Sequence, residues 1–361
     1  MPTSVTKSSG PNLTNINYFG RLFVKYGLAF LVFLMVGRIL LNAFVNYWKA
    51  THPEPPPPPT VGFGILPNLK FPTQDESDKP KSYSLEMAYG LQEITDRAKV
   101  FLVTKSTANL LADERVKAIA ANYGFIFTPE TISEETYRFT KNTPLEMGLE
   151  ISSVDFTFSL QSNFLSRPDL LTSGGKLPEE FEAVERVKKF INSADLMGAD
   201  LASASGKVTF LKSIGGELKT AFSLSEANFL QVDLNRNPID QIYKIYTNEG
   251  EKGVISAKIT SAFSANNSIV EMEYFYRQVD YLNFETYPLR TLKSAWNLVQ
   301  AGDAYVINGK NIDEAIVREV ELAYYDSFEE QKYLQPIYVF KGDNNFMAFV
   351  PAISATYLNR N

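Results

Sequence analysis

The chain has 361 residues, 45% hydrophobic and 21% charged, with a formal net charge of −6. That composition supports a packed core and excludes the basic surface that non-specific nucleic-acid binding requires. There is no Cys, which excludes disulfides, thiolate metal sites and cysteine nucleophiles, and the one His, His52, lies in a proline-rich stretch, which argues against histidine-based acid–base chemistry.

The N-terminal segment 1–25 is polar and carries Lys7, Arg21 and Lys25 without an acid, so it is expected as a cytoplasmic tail by the positive-inside rule. Residues 26–48 follow as a transmembrane helix. Its apolar stretch Tyr26–Tyr47 spans ~33 Å at ~1.5 Å per residue, enough for a hydrocarbon core of ~30 Å. Tyr47 and Trp48 suit the far interface. Arg38 lies just past the middle of this span, where a charge costs ~2.5–3.5 kcal/mol. It either snorkels to a headgroup or pairs with an acid of another membrane helix, and the second reading makes it a membrane-partner contact.

Residues 49–81 read as a proline-rich linker and an extended segment. PEPPPPP (53–59) predicts polyproline II and a semi-rigid spacer. VGFGILPNLKFP (61–72) mixes Gly and Pro with apolar residues and is expected to lie against the domain. From Ser82 onward, short alternating runs predict strands: SYSLEMAY (82–89), AKVFLVTK (98–105), VDFTFSL (154–160), KVTFLKS (207–213) and IVEMEYFYRQV (269–279). Apolar stripes at helical spacing predict helices over 110–123, 178–196 and 288–299, with Gly302 as the stop of the last.

The fold class expected is α+β: one N-terminal transmembrane helix plus an extracytoplasmic domain of two or three helix-on-antiparallel-sheet units. The units are 82–175, 176–285 and 286–361. ERVKAIAANYGF (114–125) and EEFEAVERVKKFINSADL (179–196) each precede strands, a weak internal similarity between the first two units.

No catalytic set emerges. The glycine pairs 174–175 and 215–216 lack the spacing of a phosphate loop. Asp195 with Asp200, and Asp303 with Asp313 and Glu314, are carboxylates of the kind hydrolases pair, but solvated loop acids and helix caps account for them. DSFEEQK (326–332) lacks the spacing of a calcium loop and reads as an exposed loop. No metal site and no cofactor are expected. Tyr274 and Tyr276, on one face of a strand, and Tyr324 with Tyr325 form a candidate binding surface.

YPLRTLKSAWNLVQAGDAYV (287–306) and IVREVELAYYDSFEEQKYLQPIYVFKGDNNFMAFVPAI (316–353) carry a helix, then strands reading VxLAYY and LxPIYxF. This text resembles the YycH/YycI group of membrane-anchored regulatory proteins. The proline run and VGFG segment also resemble the layout of anchored proteins from candidate-phylum bacteria. The resemblance implies a single-span plasma-membrane protein with cystatin- or PepSY-like units that regulates an envelope sensor or complex by protein contact, without catalysis. A membrane or envelope protein is then the expected partner. An envelope scaffold or peptide- and wall-polymer-binding module is the alternative, and a carboxylate-based envelope hydrolase is a third.

Overall fold

The computed structural model describes residues 13–52, 58–104, 111–167, 176–263 and 268–359. The chain divides into two units at Pro58–Pro59. The first is the helix α1 (Leu13–Thr51). Within it, Tyr18–Lys49 is long and apolar enough to cross a membrane, and none of that window is buried by protein. The helix starts at Leu13 rather than Tyr26, because residues 13–25 are helix-compatible and contain no proline. Arg38, Asn42 and Asn46 follow one another at four-residue spacing, so they lie along one side of the otherwise apolar stretch 26–47. The tail before Leu13 and most of the proline run (53–57) lie outside the described residues.

The second unit holds two sheets. The larger is entirely antiparallel and has nine strands: β3 (Glu130–Ser133), β4 (Thr136–Lys141), β5 (Met147–Ser152), β6 (Phe158–Ser162), β7 (Gly206–Ile214), β8 (Glu217–Thr220), β9 (Phe229–Leu234), β11 (Ile255–Thr260) and β12 (Ile269–Tyr274). Their order is β3-β4-β5-β6-β12-β11-β9-β7-β8. Helix α2 (Ala112–Asn122) precedes the meander β3 to β6. Helix α3 (Glu180–Ser193) and the single turn α4 (Ala199–Ala202) precede β7 to β12. The last strands of the two halves, β6 and β12, pair antiparallel at the centre. Two helix-then-meander halves therefore merge into one sheet.

Alternation sorts this sheet into rows. One row of paired residues runs Tyr137, Ile151, Phe158, Tyr274, Ile255 and Leu234, and it packs beneath the helices. The adjacent row runs Arg138, Glu150, Ser159, Glu273, Ser256, Asp233 and Lys207 on the other face. A strand's period of two produces this separation.

The smaller sheet joins β1 (Ser82–Leu85), β15 (Glu314–Tyr325), β16 (Tyr333–Gly342), β17 (Met347–Pro351) and β14 (Tyr305–Ile307). The short β10 (Ile245–Tyr246) pairs β15, and β2 (Arg97–Val103) pairs both β16 and β13 (Val279–Pro288). Helix α5 (Leu292–Gln300) starts on Thr291, whose hydroxyl accepts from the Ser294 amide at 3.2 Å. It ends before Gly302, which has φ +80°. Leu292, Ala295, Trp296 and Val299 of α5 cluster with Tyr338, Phe340 and Val350 on one face of this sheet. The other face is covered by the chain itself. Segment 61–71 lies across it as a strap. Phe63 stacks on Tyr333 (4.9 Å), Phe71 stacks on Tyr305 (5.2 Å), and Leu66 is fully buried beside Leu358. The Leu66 amide donates to the Tyr357 carbonyl at 2.8 Å, and the Asn359 amide donates to the Leu66 carbonyl at 2.9 Å.

Two expected strands are interrupted. Residues 154–157 form the turn into β6, with Phe156 at φ +58°. The run 269–279 breaks at Tyr274: β12 ends in the large sheet and β13 begins in the small one. The last expected helix begins at Leu292 rather than Pro288, because Pro288 ends β13.

Candidate functional site

The crossover Phe275–Gln278 carries the chain from one sheet to the other, and a cleft of about 790 Å³ opens beside it. Its walls come from separate elements. Leu102 and Thr104 lie at the end of β2. Val154, Asp155 and Phe156 form the turn before β6, and Leu196 to Ala199 link α3 to α4. Gln331 and Lys332 precede β16. The size and the mixture of apolar wall with a few polar groups are those of a binding cleft. Phe156 and Asp195, both lining the cleft, hold left-handed backbone at φ +58° and +57°, a strained geometry for residues with a Cβ. Gly198 is required by space, since a Cβ there would sit 2.0 Å from the Tyr276 hydroxyl.

Beneath the cleft lies a buried ionic network. The Arg236 side chain is fully buried. Its Nε donates to Asp326 Oδ2 at 2.6 Å and its Nη1 to Asp200 Oδ2 at 2.7 Å, while Nη2 donates to the Arg277 carbonyl. The guanidinium lies 4.4 Å from the centroid of the Tyr276 ring. Asp200 also accepts from the hydroxyls of Tyr276 (2.7 Å) and Tyr281 (2.8 Å). Beside it, Arg277 Nε donates to Asp155 Oδ2 at 2.8 Å, and Arg277 Nη1 donates to the carbonyls of Phe328 and Glu329, each at 3.1 Å. These bonds join the loops of the large sheet to the loop after β15 of the small one.

Burial pushes the Asp200 carboxyl up, but Arg236 and the two phenols outweigh it and hold the group below the usual carboxylate range. Asp155 follows the same pattern, with burial opposed by Arg277 and Thr157. Burial raises Tyr274, Tyr276 and Tyr281, which remain neutral donors.

The four tyrosines expected as a binding surface are not an exposed ladder. Tyr274 (3% exposed) donates to the Leu196 carbonyl at 2.7 Å and stacks on Phe158. Tyr324 (1%) donates to the Lys99 carbonyl, and Tyr325 is buried under the strap. Only Tyr274 and Tyr276 of the four line the cleft. Tyr274 faces the helix-covered side of the large sheet, Tyr276 lies in the crossover under the Arg236 guanidinium, and Tyr324 and Tyr325 lie on a strand packed on both faces. Asp195 and Asp200 do not pair: Asp195 is exposed beside Arg115, and Asp200 belongs to Arg236. Asp313 pairs with Lys81 on the surface. The start of DSFEEQK is not exposed loop, since Asp326 and Ser327 are buried and Asp326 holds Arg236. Among the described residues no group of three His, Cys, Asp or Glu is arranged to hold a metal ion. Arg38 lies on α1, exposed. Sequence reasoning does not single out Arg236 and Arg277; their one signal is an arginine placed two or three residues past the end of an apolar strand.

No family model matches the chain, and no curated protein matches it. Among solved structures, an uncharacterized protein from Eubacterium rectale is similar with a TM-score of 0.40 and 11% identity, over 72% of this chain and 84% of that one.

Proposed function

We propose that this is a single-pass plasma-membrane protein whose domain, outside the cytoplasm, works by contacting another membrane or envelope protein, without catalysis. The observation that carries the reading is α1, whose stretch Tyr18–Lys49 is long and apolar enough to cross a membrane. Arg21 and Lys25 at its N-terminal end support an N-terminus in the cytoplasm. The side of α1 bearing Arg38, Asn42 and Asn46 supplies donors for another helix, since polar side chains in lipid act as contacts between helices. In the domain, the cleft over the Arg236 network is the second contact. Its arginines and buried carboxylates are consumed in structural bonds, which supports recognition rather than chemistry.

The repeated helix-then-meander layout supports the finer fold reading, cystatin- or PepSY-like units, and with it regulation of an envelope sensor or complex in the manner of the YycH/YycI group. The outer edges of β3 and β8 favour a second reading, an envelope scaffold that takes an extended peptide by strand addition. Both strands have only four residues, which makes them poor templates.

The test is purification of the full chain from its own membranes in mild detergent. A stoichiometric membrane protein should accompany the wild type and be lost with Arg38→Leu. A solitary protein in both preparations would contradict the partner reading.

A further inference from the structure

A second cavity, of about 510 Å³, opens between the C-terminal end of α2 and the side of α3 that bears Glu182, Arg186 and Lys189. It is independent of the inter-sheet cleft. Its floor is apolar core of the large sheet, including Leu145, Met147 and Leu160, each at most 5% exposed. Its rim is basic, with Lys141, Arg186 and Lys189 against one acid, Glu182. Glu182 is already used, because it accepts from Arg186 Nη2 at 2.7 Å. Lys141 Nζ donates to the Tyr123 carbonyl at 2.9 Å and lies 4.5 Å from the centroid of the Phe125 ring. Neither Lys141 nor Lys189 has a carboxylate partner among the described residues.

A partly desolvated ammonium ordinarily has a counter-ion, because removing a charge from water is costly when nothing replaces the lost hydration. Here burial lowers the Lys141 pKa with no acid to oppose it. Two of its three N–H donors remain free for a ligand. A second unpaired lysine shares the rim, and the wall beneath is hydrocarbon and aromatic ring. Apolar floor and unsatisfied positive rim together select one ligand chemistry.

We propose that this cavity binds an amphiphilic monoanion, with its apolar chain over Leu145, Met147 and Leu160 and its carboxylate or phosphate head on Lys141 and Lys189. The head accepts charge-assisted hydrogen bonds from the two ammonium groups, and the chain displaces water from the floor.

Calorimetry on the full chain in nanodiscs of neutral lipid, with empty nanodiscs as blank, tests this. The probes are hexanoate, octanoate, octyl phosphate, octylammonium and inorganic phosphate. Octanoate and octyl phosphate should bind, and the tighter of the two names the head group. Affinity should rise about fourfold for each methylene from hexanoate to octanoate. Lys141→Gln and Lys189→Gln should each weaken binding roughly tenfold or more. Lys189 is exposed, so its substitution keeps the test valid if Lys141→Gln disturbs the fold. Equal binding of octylammonium and octanoate would overturn the proposal. So would inorganic phosphate binding as well as octyl phosphate, or affinities unchanged in Lys189→Gln.

Discussion

The two sheets bury their strands by different means. In the large sheet, β5 alternates buried and half-buried residues from Met147 to Ser152, with helices on one face and a charged row on the other. In the small sheet, β16 is buried at every position from Tyr333 to Phe340, because α5 covers one face and the strap covers the other. The large sheet closes its core with its own helices. The small sheet depends on residues 61–71, the stretch that follows the proline run. A strand that reads as continuously apolar therefore reports that something distant in sequence must cover its second face.

The largest effect should come from the network that ties the two sheets together. Arg236→Met leaves Asp200 and Asp326 buried without their cation and should cost about 3–5 kcal/mol. Urea denaturation followed by Trp296 fluorescence, in a Trp48→Phe background, would measure it. A loss under ~1 kcal/mol would mean that the sheets are held by packing alone.

The strap comes next. Leu66→Ala removes a fully buried side chain and should cost about 2–5 kcal/mol in the same assay. A cost no larger than that of a surface site would erase the contrast between the sheets.

Acid should act through the network as well. Asp155 and Asp200 are held below their ordinary values, so their contribution is fully present above the unfolded value of about 3.9 and is lost as pH falls through the folded values. Wild-type stability should decline below about pH 4. In Arg236→Met, burial is left to raise Asp200, so the deficit of that variant should shrink on acidification. A deficit independent of pH would contradict this assignment of charge.

The smallest effect belongs to the open face of the large sheet. Arg138 pairs with Glu130 and Glu150 while 41% exposed, and Arg138→Ala should change stability by at most ~1 kcal/mol. A larger loss would show that this face is covered by something.

Much of the fold was legible from periodicity. The stripes over 110–123 and 178–196 fall on α2 and α3, and KVTFLKS falls on β7. Legibility ended where one rhythm served two sheets. IVEMEYFYRQV reads as one strand-length run with no glycine or proline in it, so no turn signal marks the crossover at Phe275–Gln278 that carries Tyr276 and Arg277 into the cleft. Arg236 was hidden for a related reason. Its carboxylate partners lie 36 positions before it and 90 positions after it, and only the joining of the two sheets brings them within reach. Tyr274, Tyr324 and Tyr325 lie on strands as expected and Tyr276 lies in the crossover, but alternation cannot tell a ring facing water from a ring facing a second layer.

The central claim, that the inter-sheet cleft is where a partner docks, is tested most directly by site-specific photocrosslinking in native membranes. A benzophenone side chain at Phe156, within the cleft, should give one discrete adduct with another membrane or envelope protein. The same group at Gln161, exposed on the open face of the large sheet, should give none. No adduct from position 156, or the same adduct from both positions, would contradict the account.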